Sequence, residues 1–457
     1  MTAQRDPIIA LATAKGRASV GIIRLSGKGV LQISKALCHF DLAPRYATLI
    51  KFEDSDGELI DEGLAIFFPG PHSYTGEDVL ELQCHGSSAG LSLLMVHCLK
   101  LGQQFQLRLA QPGEFTERAF LNGKIDLAQA EAIADLIDAS SALAAKSAAK
   151  SLKGDFSKKI DVFLQALIEL RALTEATLDF PEEEIDFIEQ HDVFRRLEKI
   201  LLNIQEVKKS AQQGSIIRDG LTIVLVGQPN VGKSSLMNAL AGEEVAIVTD
   251  VAGTTRDRLK ETIQIDGIPL HIIDTAGLRE TVDSVEQIGI ERTWKSVEQA
   301  DLVLHLMDAS HGSTISETDQ ILIEKIQQVA TKKVPIRIIW NKIDQCSMPQ
   351  TLDTTHFYVS AKTGQGLDLL KQELLAVAGW QPESEGGILA RKRHIEALFE
   401  AETHIQESLK LLKEQSYSVE LAAEEMRLAQ EALSKITGQF LPDDLLGKIF
   451  STFCIGK

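Results

Sequence analysis

The sequence has no feature that would tie the protein to a membrane or to an oxidising compartment. No apolar run of about 18 residues occurs, and the first residues, MTAQRDPIIALATAKGR, lack the charged, apolar and small-residue order of a secretory signal. The five cysteines have no CxxC spacing, which argues against a zinc site or a disulfide framework. We therefore expect a cytoplasmic protein with reduced thiols and no contact with a membrane.

Positive charge is also scarce. Lys and Arg number 47 against 65 Asp and Glu, for a formal net charge of −18, whereas binding to nucleic acid phosphates needs clustered Lys and Arg. An RNA partner would therefore need a local basic patch or a second protein. The remaining composition, 44% hydrophobic and 25% charged, is ordinary for a folded protein, and 457 residues predict two or three domains.

Four segments differ in their pattern of apolar residues. Residues 1–122 combine short β-type runs such as SVGIIRLSG with turn signals, which predicts an α+β domain. Residues 123–217 and 380–457 show helical spacing, while 218–379 alternate β-branched runs with helical ones, as in a parallel sheet with crossover helices. We therefore predict a multidomain α/β and α fold, in which an α/β unit interrupts one helical domain because its ends can lie close together.

Apolar residues in the last segment fall on two helical faces. The first face contains Leu398, Ile405, Leu409 and Leu412. The second contains Leu421, Leu428 and Ala432. A different pattern occurs at 179–192, where DFPEEEIDFIEQHD has seven acids and no Lys or Arg, as is typical of a solvated connector.

A nucleotide-binding motif begins at Gly227. GQPNVGKSS follows the apolar run from Thr222 to Val226 and leads into the helical LMNALAG, so GxxxxGK[ST] occurs in the strand, loop and helix context that it requires. Backbone N–H groups of such a loop surround phosphates, Lys233 neutralises their charge and Ser234 offers a hydroxyl to Mg²⁺. The predicted phosphate contacts are Asn230, Val231, Gly232, Lys233, Ser234 and Ser235.

Four further segments follow in the order that a GTPase requires. Asp274 of DTAG ends an apolar run, where its carboxylate can hold magnesium through water, and Thr255 of TDVAGTTRD offers the metal a second hydroxyl. The carboxylate of Asp344, in NKID, can accept both N1–H and the exocyclic amine of guanine, a pair of donors that adenine lacks. SAK closes the base pocket. The nucleotide contacts predicted from DTAG, NKID and SAK are Asp274, Thr275, Ala276, Gly277, Asn341, Lys342, Asp344, Ser360, Ala361 and Lys362.

The residue after DTAG departs from the usual GTPase pattern. Many GTPases have a Gln there that orients the attacking water, but this sequence has Leu278, whose alkyl chain cannot do so. Glu286 and Glu291, in VEQIGIER, can each position or deprotonate a water. Each also fits an ordinary solvated helix carboxylate, and Glu291 fits that description more readily.

Positive charge for the reaction has three candidate sources. Two are the side chains of Arg256 and Arg279. The third is a bound monovalent cation, because Asn230, inside the phosphate loop, has a side-chain oxygen suited to K⁺.

The phosphate loop PNVGKSS is accompanied by DTAGLRE, VEQIGIER and a terminal CIGK, and nearer the start by GRASVGIIRLSG, SYTGEDVLELQCHG and PGEFTERAFLNGKIDLAQAEA. Together these segments resemble the MnmE (TrmE) family, bacterial GTPases that modify the wobble uridine of certain tRNAs. The resemblance covers nearly the whole chain. A phosphate loop alone would match many families, whereas the flanking segments are specific.

The resemblance implies a homodimer formed through amino-terminal domains that each bind a tetrahydrofolate derivative, the 5,10-methylene or 5-formyl form, as donor of a one-carbon unit. The positions that match the family's folate contacts are Arg24, Glu81, Lys124 and Lys457. An Arg and a Glu suit a ligand with a glutamate tail and a pterin edge, although each also fits an ordinary surface ion pair.

For the nucleotide site, the resemblance implies GTP with Mg²⁺ held by Ser234 and Thr255, and G domains that pair on GTP and K⁺. The matching K⁺ positions are Asn230, Thr249, Val251 and Thr254, of which Thr249 and Thr254 also contact the nucleotide. Glu286 becomes the catalytic carboxylate. The implied partner is an FAD-dependent protein, MnmG (GidA), in a heterotetramer, and together they add an aminomethyl or carboxymethylaminomethyl group to uridine C5 of tRNA.

The chain ends in FCIGK, and Cys454 has several interpretations. A prenylation box fits poorly, because Gly456 and Lys457 are unsuited to its last two positions. A glycine-hinged tail can instead bring Cys454 and Lys457 to the folate site, where uridine C5 needs a nucleophile or another means of activation. A catalytic role as nucleophile or general acid and a packing role are all open. Cys84 and His85 are interpreted as structural.

Two other functions compete with tRNA modification. A ribosome-assembly switch of the Era/EngA type shares PNVGKS, DTAG and NKxD, but it predicts a basic KH-like RNA domain with a GxxG loop, whereas the flanks here are acidic and helical. A membrane-stress GTPase would need an amphipathic basic helix, which the sequence lacks. Retention of folate would distinguish the first hypothesis from the other two.

Overall fold

The structure is a computed structural model that describes most of the chain in two compact units. The amino-terminal unit comprises Met1–Ala134 and Ser434–Lys457, and the second unit comprises Asp135–Leu433. No helix among the described residues has the length and apolar character needed to span a bilayer. The described residues are 6–14, 16–179, 192–242, 260–274, 297–298, 300–312, 315–329, 334–346, 355–381, 387–413, 419–439 and 443–456.

A six-stranded sheet in the order β3-β4-β5-β2-β1-β6 forms the amino-terminal unit. Its strands are β1 (Ile8–Leu11), β2 (Ala18–Ser26), β3 (Thr48–Glu53), β4 (Leu59–Phe68), β5 (Val79–Gly86) and β6 (Arg108–Leu109). Neighbours are antiparallel except β1 and β6. Along β5, Leu80, Leu82 and Cys84 are buried at alternating positions, the period of a strand with one face on a core.

Helices from both stretches of sequence that form this unit, Met1–Ala134 and Ser434–Lys457, complete it. They are α1 (Val30–Cys38), α2 (Ser88–Leu101), α3 (Glu114–Leu121), the start of α4 (Leu127–Ile137) and α13 (Asp443–Ser451). The α1 and α2 helices share a hydrophobic core with the sheet. Phe450 and Phe453 pack with Leu127 in a smaller core, and Ile455 forms an antiparallel bridge with Pro112. The carboxyl-terminal tail is therefore part of the amino-terminal unit.

A buried ion-pair network stabilises α3 against the sheet. Arg118 is fully buried, and its guanidinium lies 3.0 Å from the carboxylate of Glu77 and 2.8 Å from that of Glu114. Arg108 lies 2.6 Å from Glu114 on its other side. Burial raises the pKa of Glu114, but hydrogen bonds from Arg108, the Gln111 amide and Arg118 outweigh it and lower the pKa to about 2. The PGEFTERAF segment is thus the core of this network.

A doubly wound sheet in the order β12-β11-β10-β7-β9-β8 lies in the second unit. Its strands are β7 (Leu221–Gly227), β8 (Lys260–Ile265), β9 (Ile268–Asp274), β10 (Leu302–Asp308), β11 (Ile336–Asn341) and β12 (His356–Tyr358). All neighbours are parallel except β8 and β9. The near-continuous apolar runs of β7 and β10 are buried, as parallel strands covered on both faces require.

The helices of the second unit precede, cover and follow this sheet. They are α5 (Ala142–Leu152), α6 (Asp155–Asp179), α7 (Val193–Asp219), α8 (Lys233–Ala241), α9 (Glu317–Val329), α10 (Leu367–Ala378), α11 (Lys392–Lys413) and α12 (Val419–Thr437). The predicted fold class is confirmed: an α+β amino-terminal part is followed by helices that a Ras-like α/β part interrupts. The acidic stretch at 179–192 lies almost entirely outside the described residues.

The entry to the α/β part and the exit from it lie side by side. Gln213, near the end of α7, donates from its side-chain amide to the carbonyl oxygen of Gly379 at 2.8 Å and accepts from the Gln381 amide at 2.9 Å. A Cβ on Gly214 would lie 1.7 Å from the carbonyl oxygen of Ile388, so only glycine permits this approach. Proximity of the two ends explains how one helical domain tolerates the insertion.

The α12 face that contains Leu421, Leu428 and Ala432 is buried only in part, because Ala432 is buried and Leu421 is exposed. Leu421 is 57% exposed, whereas Ala422 and Met426 are buried. The hydroxyl of Ser408 on α11 donates to the Ala422 carbonyl oxygen at 3.0 Å, and Thr174 on α6 contacts the Met426 sulfur. Small alanine side chains let the helices approach closely, so Ala422 and Met426 are buried while Leu421 is exposed. On α11, by contrast, the predicted face is buried at Leu398, Ile405 and Leu409.

The Arg118 network gives a stability prediction. We expect Arg118→Met to lower the free energy of unfolding of the amino-terminal unit by about 3–5 kcal/mol, because Glu77 then loses this cation and the buried Glu114 keeps only Arg108. The difference from wild type should shrink as pH falls from about 4.5 to about 2, since Glu114 then becomes protonated in the wild type as well. Urea unfolding of the full chain, followed by circular dichroism, measures this loss.

Tryptophan fluorescence separates the two units in the same experiment. The tryptophans, Trp294, Trp340 and Trp380, all belong to the second unit, so their transition should be unchanged. The matched control is Arg427→Met, because Arg427 pairs with Glu424 and Glu431 on the surface of α12 and solvent screens such pairs. Equal shifts for the two variants would contradict the prediction.

Candidate functional site

The phosphate loop lies between β7 and α8, at the carboxyl edge of the sheet. Gly227 ends β7 with φ of 154°, and a Cβ there would lie 2.3 Å from the carbonyl oxygen of Leu306. Gly232 precedes α8 with φ of 97°, and a Cβ there would lie 2.4 Å from the Asn341 side-chain nitrogen. Both positions therefore require glycine, for conformation as well as for space.

Lys233 and the first turn of α8 supply the electrostatics of this loop. The Lys233 ammonium donates to the carbonyl oxygens of Gly227 at 2.8 Å and Gln228 at 3.4 Å. Ser234 and Ser235 are exposed in the first turn of the helix, where unpaired backbone N–H groups and the helix dipole favour an anion. The loop can therefore receive a phosphate, and the Ser234 hydroxyl is the kind of hard oxygen donor that Mg²⁺ prefers.

Asn341 joins the phosphate loop to the predicted base pocket. Its side chain is 2% exposed, and its amide nitrogen donates to the carbonyl oxygen of Val231 at 2.9 Å. Its amide oxygen accepts from the Ala361 backbone N–H at 3.0 Å. The Ser360 hydroxyl donates to the Asp344 carboxylate at 2.6 Å. The NKID and SAK segments therefore meet, and Lys362 is exposed beside them.

Asp308 is a member of this site that the motif analysis missed. It ends β10, and its carboxylate lies 2.6 Å from the ammonium of Lys342, which also donates to the carbonyl oxygen of Asn230 at 2.8 Å. Burial raises the pKa of Asp308, but bonds from Lys342 and Ser310 lower it to about 2. The sequence feature that could have identified Asp308 is its position at the carboxyl end of a strand, because that edge of an open parallel sheet binds ligands.

Several predicted nucleotide and metal contacts lie outside the described residues. They are Thr249, Val251, Thr254, Thr255, Thr275, Ala276, Gly277 and Glu286, together with Arg256, Leu278, Arg279 and Glu291. Asp274 is the last residue of β9. The roles predicted for these residues stay predictions. Of the predicted K⁺ ligands, Asn230 is described and exposed.

The amino-terminal unit places two predicted folate contacts on adjacent strands. Arg24 on β2 and Glu81 on β5 are directly paired in register, and the guanidinium lies 2.8 Å from the carboxylate. Both side chains are partly exposed, 21% for Arg24 and 17% for Glu81. The Arg24 guanidinium lies over the rings of Tyr74 and Phe115, at 5.4 Å and 5.8 Å from their centroids. The site therefore offers charge beside aromatic surface.

Lys124 lies beside the loop that carries Tyr74. Its ammonium donates to the carbonyl oxygen of Pro71 at 2.9 Å, and its methylene groups pack near Gly76. The hydroxyls of Tyr74 and Thr116 lie 2.8 Å apart. Lys124 is thus connected to the Arg24 surroundings through one short loop.

The carboxyl-terminal tail reaches the same neighbourhood. The Gly113 amide donates to the carbonyl oxygen of Cys454 at 3.2 Å, and Gly113 stands two residues before Phe115. Gly456 packs against the carbonyl oxygen of Leu11 on β1. Cys454 itself is exposed, so a buried packing role does not describe it, while Lys457 lies outside the described residues.

Cys84 and His85 keep their structural interpretation. The Cys84 thiol is buried, and burial raises its pKa to about 11, which makes it a poor nucleophile. The imidazole Nδ1 of His85 lies 2.7 Å from the carboxylate of Asp61 on the adjacent strand β4.

The doubly wound sheet and the phosphate loop, with an NKID base pocket at the same edge, define a P-loop nucleotide-binding protein of the Ras-like class. Two family models match the chain: "GTP-binding protein TrmE N-terminus" over residues 7–124 and "MnmE helical domain" over residues 127–454. The chain belongs to the MnmE family.

Curated relatives match from end to end. A "tRNA modification GTPase MnmE" of Cupriavidus necator is 52% identical over 477 residues, covering 100% of both chains. One of the same name from Burkholderia cenocepacia is 53% identical over 464 residues, covering 99% of each. Among solved structures, a variant of Aquifex aeolicus Era bound to GDP.AlF4- is 26% identical and covers 40% of this chain and 66% of its own, with a TM-score of 0.28.

The Asp308–Lys342 pair gives a prediction for nucleotide affinity. We expect Asp308→Ala to weaken GDP binding by about tenfold, or about 1.4 kcal/mol, because Lys342 loses the charged partner that orients it toward the phosphate loop. Titration of the full chain with a fluorescent GDP analogue measures the change. Asp301→Ala is the control, since Asp301 accepts from the Thr222 amide at the opposite edge of the sheet. Unchanged affinity in Asp308→Ala would refute the role.

Proposed function

We propose that the protein is a GTP hydrolase that modifies uridine C5 in the wobble position of certain tRNAs, using a one-carbon unit from a tetrahydrofolate derivative. Membership of the MnmE family supports the GTPase activity and its link to tRNA modification. The folate, the metal ions, the homodimer and the FAD-dependent partner MnmG, in a heterotetramer, are finer parts of the proposal. The ribosome-assembly alternative finds no support in the curated names of these relatives.

In the proposed nucleotide site, each described motif has its own role. Lys233 and the amides at the start of α8 bind the β- and γ-phosphates, Ser234 holds Mg²⁺, and Asp344 selects guanine by accepting from its N1–H and exocyclic amine. Asn341 connects phosphate loop and base pocket, as its bonds to Val231 and Ala361 support. Glu286 positions the attacking water, and K⁺ bound by Asn230, Thr249, Val251 and Thr254 supplies positive charge in place of an arginine.

The Arg24–Glu81 pair, with the tail beside it, is the observation that carries the folate assignment. A carboxylate next to a guanidinium can accept from a pterin edge, the guanidinium can pair with a ligand carboxylate, and the Tyr74 and Phe115 rings offer surfaces for stacking. Tetrahydrofolate derivatives, when bound, supply a one-carbon unit. Lys124 and Lys457 add positive charge for an anionic ligand.

Cys454 is assigned to the chemistry on uridine. Its backbone is fixed by Gly113 and its thiol is exposed, so the thiol is accessible to a nucleotide brought to this surface. Because the net charge is −18, a local basic patch or the partner protein supplies the positive charge for tRNA.

Base selection by Asp344 can be tested by substitution. We expect Asp344→Asn to weaken GTP binding by about 100-fold, because an amide nitrogen then faces one of the two donors of guanine, and to improve binding of xanthosine triphosphate, whose C2 carbonyl accepts a hydrogen bond. Competition binding with the two nucleotides measures the switch. Asp368→Asn, on the exposed first turn of α10, is the control. Equal losses for both nucleotides would contradict base selection.

The function itself is tested in cells. Nucleosides from total tRNA of the source cell lacking this gene should lose the C5-modified wobble uridine, and the wild-type gene should restore it. Cys454→Ser should not restore it, whereas Cys346→Ser, a half-buried cysteine of the second unit, should. Mass spectrometry of the nucleosides distinguishes these results. Persistence of the modification in the deletion strain would overturn the proposal, and full restoration by Cys454→Ser would make the thiol non-catalytic.

A further inference from the structure

A carboxylate outside every nucleotide motif contacts the phosphate loop. Asp319, in the first turn of α9, is 6% exposed. Its Oδ2 accepts from the side-chain amide of Gln228 at 3.3 Å, across a sequence separation of 91 residues. Gln228 directly follows Gly227, so Asp319 bonds to the first residue of the loop after β7.

His305 holds the other oxygen of this carboxylate. It lies on β10, opposite Val226 of β7 in the parallel register, and it is fully buried. Its Nε2 lies 3.1 Å from Asp319 Oδ1, while its Nδ1 makes no hydrogen bond with the described residues. Burial lowers the pKa of His305, an effect that Asp319 opposes. A neutral imidazole that donates from Nε2 therefore fixes the carboxylate from inside the core.

The start of α9 fixes the same group from the surface. The Ser316 hydroxyl donates to Asp319 Oδ2 at 2.5 Å, and the Asp319 amide donates to the Ser316 hydroxyl at 3.2 Å. This reciprocal pair resembles a capping box, and a negative charge is favourable in the first turn of a helix. Core histidine and helix cap thus hold Asp319 in one orientation.

We propose that Asp319 is a positioning residue for the phosphate loop, which holds Gln228 and thereby the geometry in which the loop receives nucleotide phosphates. The Lys233 ammonium donates to the carbonyl oxygens of Gly227 and Gln228, so displacement of Gln228 also displaces a partner of the phosphate-binding lysine. Affinity depends on such preorganisation, because a loop that samples other conformations must be ordered on binding. The inference rests on the proposed nucleotide site.

A double-mutant cycle tests the contact. Asp319→Ala and Gln228→Leu should each weaken binding of a fluorescent GDP analogue to the full chain by about tenfold, which is about 1.4 kcal/mol. The double variant should also be about tenfold weaker, since both substitutions remove the same contact. Asp319→Asn should bind within about threefold of wild type, because its amide oxygen can accept from Gln228 and its amide nitrogen can donate to the other tautomer of His305.

Ile326→Ala separates a structural role from positioning. Ile326 is buried on α9 in an apolar core, away from the Asp319 carboxylate, so its truncation should lower thermal stability while GDP affinity stays within about twofold of wild type. A parallel loss of affinity and stability across Ile326→Ala and Asp319→Ala would overturn the positioning role. Losses that multiply to about 100-fold in the double variant, or an Asp319→Ala variant that binds as wild type does, would overturn it as well.

Lys233→Ala distinguishes failure of this inference from failure of the nucleotide assignment. Loss of GDP binding in Lys233→Ala, with wild-type binding in Asp319→Ala, would reject the positioning role and leave the proposed site intact. Retained binding in Lys233→Ala would instead reject the proposed phosphate site, and with it the basis for positioning by Asp319.

Discussion

The approach of two parallel strands at Gly227 is the constraint on which the nucleotide site depends. The carbonyl oxygen of Leu306 on β10 occupies the space that a side chain at Gly227 would need, and the register of β7 and β10 pairs these two residues. Parallel pairing then brings the carboxyl ends of β7, β10 and β11 to one edge. Asn341, which ends β11, therefore meets the phosphate loop directly at Val231, and Asp308, which ends β10, is linked to that loop through Lys342.

In the amino-terminal unit, one short segment both stabilises the fold and shapes the proposed folate site. One segment, from Gly113 to Arg118, contains the ion pair of Glu114 with the fully buried Arg118 and also presents Gly113 to the tail and Phe115 to Arg24. Buried charges are costly unless each is paired in good geometry, so the network tolerates little displacement of α3. The start of α3 is therefore held in place beside the tail and beside Arg24, at the proposed folate site.

Local patterns predict the strands and the phosphate loop, but long-range side-chain contacts escape them. GQPNVGKSS is readable because its glycines, lysine and serine act within nine consecutive residues. Asp308 belongs to the site because strand register places it at the edge of the sheet, and Asp319 because it lies at the start of a helix. No short sequence spacing encodes either position. Leu421 shows another limit: leucine spacing defines a helical face, but Leu421 is exposed while the neighbouring Ala422 is buried against α11. The exposure of Cys454 likewise follows from the tertiary path of the tail.

Arg24, Lys342 and Lys233 differ in the groups that hold their charged ends. Arg24 pairs with the carboxylate of Glu81 and Lys342 with that of Asp308, so their charges are locally balanced and their directions fixed. Lys233 instead donates to the carbonyl oxygens of Gly227 and Gln228, which are neutral partners. A charge held by neutral dipoles keeps more of its field for an anion than one already paired with a carboxylate. In a chain with a net charge of −18, this difference makes Lys233 better suited than Lys342 or Arg24 to attract phosphate.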